Sequence, residues 1–98
     1  MNTNTCESHD VHPLYARCLS TLVYLCEANN IGIQSITAYC HGFKVVFEGH
    51  EEGDAIIHDY SYCSAAGMWE TMGFPWDYGD VSVHDTRELV ALVKGLQK

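Results

Sequence analysis

On either side of His41-Gly42 the chain alternates apolar and other side chains with a period of two, and this is its tightest constraint. Before the dipeptide, Ile36, Ala38 and Cys40 alternate with Ser35, Thr37 and Tyr39. After it, Phe43, Val45 and Phe47 alternate with Lys44, Val46 and Glu48. A two-residue turn at His41-Gly42 predicts the pairs Cys40 with Phe43, Ala38 with Val45, and Ile36 with Phe47. All six side chains then lie on one face, as a hairpin over a core requires. A third strand is expected over Ala55 to Tyr62, after a polar loop at 49–54. In that strand Ile56, His58, Tyr60 and Tyr62 would face the core, and Ile57 and Asp59 the other side. The outer face would carry Thr37, Tyr39, Lys44, Val46, Glu48, Ile57 and Asp59.

Helical periodicity brackets this region. Leu14, Tyr15, Cys18, Leu19, Leu22, Val23, Leu25 and Cys26 recur at three- and four-residue spacing behind Pro13, which suits a first helical turn. Asn29 and Asn30 form the stop signal. At the other end Asp85-Thr86-Arg87-Glu88 reads as a capping box, opening a helix with Leu89, Val90, Leu92, Val93 and Leu96 inward. Between Ser64 and Asp80 no period holds, although a helical turn is expected around Ala65 to Met72. Val81 and Val83 suggest one more short strand. The fold class is therefore α+β: a three- to four-stranded antiparallel meander with an N-terminal and a C-terminal helix packed on one face. At 98 residues the chain has room for one core,. Residues 1–10 are expected to be a flexible N-terminus and residues 11–98 a single domain.

Composition narrows the function. Five Lys and Arg stand against 13 Asp and Glu, a net charge of −8, which argues against direct contact with nucleic acid or an anionic membrane surface,. No apolar run is long enough for a membrane span, and the first ten residues do not resemble a secretory signal. Five cysteines without a C-x-x-C pair fit reduced thiols and a cytoplasmic setting,. His9 and His12, or the loop His50, Glu51, Glu52 and Asp54, offer metal-ligand chemistry without any zinc or EF-hand spacing, so no metal or other cofactor is expected. His9-Asp10, His58-Asp59 and His84-Asp85 are adjacent in sequence, but adjacency along a strand puts side chains on opposite faces. No nucleophile elbow, P-loop or dinucleotide fingerprint is present, and no enzymatic activity is expected.

The sharper signal lies between Lys44 and Arg87, an interval with no Lys or Arg. It holds nine acids: Glu48, Glu51, Glu52, Asp54, Asp59, Glu70, Asp77, Asp80 and Asp85. Among them stand Trp69, Phe74, Trp76 and Tyr78, side chains of the kind that anchor protein interfaces. Glu48, Glu51, Glu52, Asp54, Asp59, Trp69, Glu70, Phe74, Trp76, Asp77, Tyr78 and Asp80 are accordingly expected to form a docking surface for a basic partner. Carboxylates steer such a partner, and the rings hold its Arg side chains through cation–π and charge-assisted contacts.

A small acidic chain without a catalytic motif resembles, in general profile, phage anti-CRISPR and anti-restriction proteins and inhibitors of nucleases. The expected function is an inhibitor that blocks a basic, nucleic-acid-handling surface of another protein. With only 18% charged residues, a specific docking loop suits the chain better than wholesale phosphate mimicry. Two alternatives are a homodimeric structural or regulatory domain, pairing through its exposed sheet face or edge, and a small hydrolase or metal-dependent enzyme using His58, Cys63 and nearby acids.

Overall fold

Pro13 opens the first helix, α1 (Pro13–Ala28), behind His12, whose Nδ1 accepts from the Leu14 N–H at 3.1 Å. The helix ends where the spacing predicted, with Asn29 as C-cap and Asn30 in the left-handed region at φ 60°. In this computed structural model, which describes residues 11–97, five strands follow: β1 (Ile33–Tyr39), β2 (Gly42–Phe47), β3 (His50–Ile57), β4 (Trp69–Met72) and β5 (Val81–His84). The second helix, α2 (Thr86–Leu96), closes the fold. Its cap is the predicted one, the Asp85 carboxylate accepting from the Glu88 N–H at 2.8 Å. The expectation for residues 1–10 lies outside the described residues.

The sheet is an antiparallel meander in the order β1-β2-β3-β4-β5. Leu22 and Cys26 of α1 and Leu89, Val90 and Val93 of α2 share one core with Val45, Phe47, Ala55, Ile57, Trp69 and Phe74. The α+β class and the flanking helices stand as expected, with five strands in place of the expected three to four. No helix among the described residues is long and apolar enough to cross a membrane.

Three details of the meander differ from the sequence reading, each for a physical reason. The β1–β2 turn is Cys40-His41, not His41-Gly42, and the register is Tyr39 with Gly42, Ala38 with Phe43, and Ile36 with Val45. Both turn residues are left-handed, at φ 52° and 66°, as a two-residue hairpin turn matched to strand twist requires,. Glycine would adopt that conformation most easily, yet Gly42 is needed one position later. A methyl group there would strike the Ile57 carbonyl oxygen of β3. Backbone bonds hold the strained pair from both sides: His12 N–H to His41 O at 3.0 Å and Asp59 N–H to Cys40 O at 3.1 Å,.

The third strand begins at His50 instead of Ala55, and its faces are reversed. Ala55 and Ile57 point into the core and Ile56 points outward. Gly53 sets this phase. It lies under the Phe74 ring, where a Cβ would stand 2.7 Å from a ring carbon, so Gly53, Ala55 and Ile57 form the inner row. His58 follows the outward parity and is buried beneath Tyr39 and Tyr60, outside the core. Lastly, the helical turn expected at Ala65 to Met72 is a 3-10 turn (Tyr62–Ala66) followed by β4. Its inner residues Trp69 and Thr71 are fully buried.

Gly42→Ala is expected to lower stability by about 1–3 kcal/mol through overpacking. Gly95→Ala, in α2 with open space around it, should raise stability by about 0.5–1 kcal/mol,. Urea midpoints of the two variants check both signs.

Candidate functional site

Strand direction decides which acids can act together. The β2–β3 turn at Glu48-Gly49 and the segment Gly73–Asp80 lie at one end of the sheet, because Asp54 pairs with Met72 and Met72 with Val81. The Cys40-His41 turn, Asp59 and Asp85 lie at the opposite end. Five of the nine acids therefore gather at the first end: Glu48, Glu51, Glu52 and Asp80 exposed, and Asp54 half-buried. Two of them also finish local turns, Glu51 accepting from the Gly49 N–H at 3.1 Å and Asp80 from the Val81 N–H at 2.8 Å. Glu70 sits midway along the outer sheet face, and its Oε1 accepts from the Ser61 hydroxyl at 2.6 Å.

Three members of the expected docking surface are interior. Trp69 has no exposed surface, and its indole N–H donates to Thr86 Oγ1 at 3.0 Å. Phe74 is buried over Gly53 and stacks on Trp76 with ring centroids 4.5 Å apart. Asp77 is 4% exposed and takes three hydrogen bonds: from Thr71 Oγ1 at 2.9 Å, from the Phe74 N–H at 3.1 Å, and from Ser82 Oγ. A side chain so placed offers nothing to a partner. The meander needs large inner residues on β4 and a polar plug for the loop after it, and these residues fill both needs. Trp76 is half-buried, its N–H donating to Thr71 Oγ1 at 3.0 Å.

The Asp77 network has a definite direction. Ser82 gives its single proton to Asp77, so the His84 Nε2, 2.7 Å from Ser82 Oγ, carries the hydrogen of that second contact,. His84 Nδ1 has no hydrogen-bond partner and faces Glu88 Oε1 at 3.4 Å. This wiring runs opposite to the one that activates a serine nucleophile, in which the hydroxyl donates to the imidazole. Its effect is to fasten the loop to β4 and β5.

What the network holds up is Tyr78. That residue is left-handed at φ 52°, is followed by Gly79 at φ 80°, and leaves its ring 91% exposed. Non-glycine residues take this conformation at a cost and keep it where surrounding bonds over-determine it. With half-exposed Met72 on the outer face toward the same end of the sheet, that end presents a phenol, a thioether and five carboxylates.

A second polar group has no signature in the local sequence. Asp59 Oδ2 lies 2.7 Å from His41 Nδ1, and Asp59 Oδ1 accepts from Tyr15 OH at 3.0 Å, while His12 stacks on Tyr15. The hydrogen bond from His41 holds the Asp59 carboxyl below its ordinary range, assisted by Tyr15 and opposed by slight desolvation. Only the turn geometry brings His41 and Asp59 together, so strand alternation alone could not reveal the pair. His58 is pushed down by burial, against the pull of Glu70 and Asp59. Cys63 Sγ lies 3.2 Å from Ser61 Oγ, and Cys18, Cys26 and Cys63 are free thiols. Among the described residues no three His, Cys, Asp or Glu side chains converge as metal ligands.

Comparison with protein-family models, with curated proteins and with solved structures returns no match.

Asp77→Ala removes the shared acceptor of three buried or half-buried donors and is expected to cost about 2–4 kcal/mol, read from urea denaturation followed by tryptophan fluorescence,. Because the folded-state pKa of Asp59 is depressed, its contribution to stability is complete above the unfolded carboxylate range. It disappears as pH falls through the folded value,. In His41→Ala the Asp59 midpoint, followed by carboxyl carbon NMR, is expected to move upward.

Proposed function

We propose that this protein is a small acidic inhibitor that docks on a basic, nucleic-acid-handling surface of another protein, of the anti-CRISPR, anti-restriction or nuclease-inhibitor kind. It would act in the cytoplasm with its thiols reduced. The single observation that carries the reading is Tyr78, held 91% exposed in a left-handed conformation at the same end of the sheet as Glu48, Glu51, Glu52, Asp54 and Asp80. No Lys or Arg occurs from residue 45 to residue 86, so the field at that end is uncompensated by its own segment.

The physical roles divide accordingly. The carboxylates attract and orient a positively charged surface over distances up to about 10 Å at ordinary ionic strength. Tyr78 and Met72 then supply apolar contact, and a guanidinium can lie against the phenol face while its N–H groups reach a carboxylate. Trp69 and Phe74, buried beneath this surface, support it from within. Rigid support lowers the ordering cost on binding.

Capture on the immobilised protein from its host's lysate, with mass-spectrometric identification, is expected to return a nuclease or another nucleic-acid-binding protein. Tyr78→Ala should weaken that complex by about 2 kcal/mol or more with an unchanged circular dichroism spectrum. Glu51→Lys with Glu52→Lys should mainly slow association, and the wild-type rate should fall as salt rises. A neutral or acidic partner, or an association rate indifferent to salt, overturns the proposal.

A further inference from the structure

The helices cover one side of the sheet, and the register defines what the other side presents. One row across all five strands reads Thr37, Lys44, Ile56, Glu70, Val83, each residue paired with the next. Beside it, Val46 on β2 and then Asp54, Met72 and Val81 on β3, β4 and β5 form a second row, interrupted by the β2–β3 bulge. Val81, Val83 and Met72 are 45%, 43% and 55% exposed, and Ile56 and Val46 are half-buried. This is an apolar band crossing four strands.

The charges on the band follow a pattern. In the first row Ile56 stands on the central strand, with Lys44 one strand to one side and Glu70 one strand to the other. A two-fold axis parallel to β3 beside Ile56 carries each residue to the same height on the mirror-related strand of a second sheet. Lys44 then faces Glu70 of the other copy, Glu70 faces its Lys44, and Ile56 faces Ile56. In the second row Val46 faces Met72. The close carboxylate contacts of basic side chains are His41–Asp59 and His84–Glu88, so Lys44 has no carboxylate partner among the described residues.

We infer that the open sheet face binds a second copy of this chain, forming a face-to-face dimer with its two-fold axis along β3. Sheets packed this way stand about 10 Å apart, within reach of a lysine and a glutamate extended toward each other. The same operation brings the two Asp54 carboxylates near the axis, a like-charge contact that weakens the dimer and marks its register. The inference does not rest on the inhibitor reading: it is argued from Lys44, Ile56 and Glu70, which lie away from the end that carries Tyr78, and only Asp54 and Met72 border both surfaces.

The test is sedimentation equilibrium of the whole chain and its variants, with circular dichroism to confirm folding. The wild type is expected to dimerise, and Lys44→Glu, an exposed change, should raise the dissociation constant at least about tenfold. The double exchange Lys44→Glu with Glu70→Lys should restore association. Should Glu70→Lys disturb the Ser61 contact, Lys44→Glu alone still tests the face. Asp54→Asn should tighten the dimer. A wild type that stays monomeric at high micromolar concentration, or a dimer indifferent to both Lys44→Glu and Asp54→Asn, overturns the inference.

Discussion

Everything in this fold leans on the indole of Trp69. It is the largest fully buried side chain, it belongs to a strand of only four residues, and its N–H reaches Thr86 at the start of α2. A buried indole gains burial energy from its rings only when its one donor is satisfied, since an orphaned N–H costs about 1–3 kcal/mol. Thr86 occupies that place because Asp85 caps α2 there. Cap, helix start and β4 are thus one linked arrangement. Trp69 is paired across the strands with His84, which in turn contacts Ser82 and, through it, Asp77. The loop that displays Tyr78 is therefore anchored to β4 and β5 by the hydrogen bonds of Thr71 and Ser82 to Asp77.

The sequence was legible where periodicity ran long enough to be unambiguous. Both helices, their caps, and the hairpin of β1 and β2 follow from spacing and end signals. The inner set Phe43, Val45 and Phe47 was read correctly even though the turn was placed one residue late. Moving a two-residue turn by one position shifts the cross-strand partner by two, and a shift of two preserves the face. Failure began where the deciding contact was nonlocal. Gly42 looked like the turn glycine, but it is reserved for the close approach of Ile57, a residue fifteen positions away. The phase of β3 depends on Gly53 lying beneath Phe74, and no local pattern announces that contact. Four-residue β4 was too short to show a period and carried Trp69, whose surroundings of Glu70 and Asp77 suggested a surface.

The candidate site was legible in its charge and misread in its anchors. Local sequence shows that residues 45–86 lack a cation, and topology then sorts the nine acids. Five meet at one end, Asp77 goes inside, and Asp59, Glu70 and Asp85 go elsewhere. Aromatic residues beside acids carry no sign of which way they point, because a strand alternates and a tight turn does not. The positive φ of Tyr78 decides the matter. With Asp77 turned inward to meet Thr71 and Ser82, a left-handed residue next in line sends its ring outward, and Gly79 lets the chain return to β5.

Two surfaces with different physics follow from one-sided coverage of a meander. Strand ends carry the loops and hence the field; the open face carries the register and hence the Lys44–Glu70 pattern. A two-fold axis parallel to the strands preserves height along them. In the dimer inferred above, both acidic ends would then lie on the same side, their Tyr78 rings directed the same way. Such an arrangement suits a basic surface that is itself repeated, where the second contact is intramolecular and strengthens binding by effective concentration. The repulsion between two such ends opposes the pairing of the sheets, as the Asp54 contact does. A cationic partner bridging them would relieve that repulsion, so partner binding and dimerisation would favour each other by the reciprocity that any linked pair of equilibria obeys.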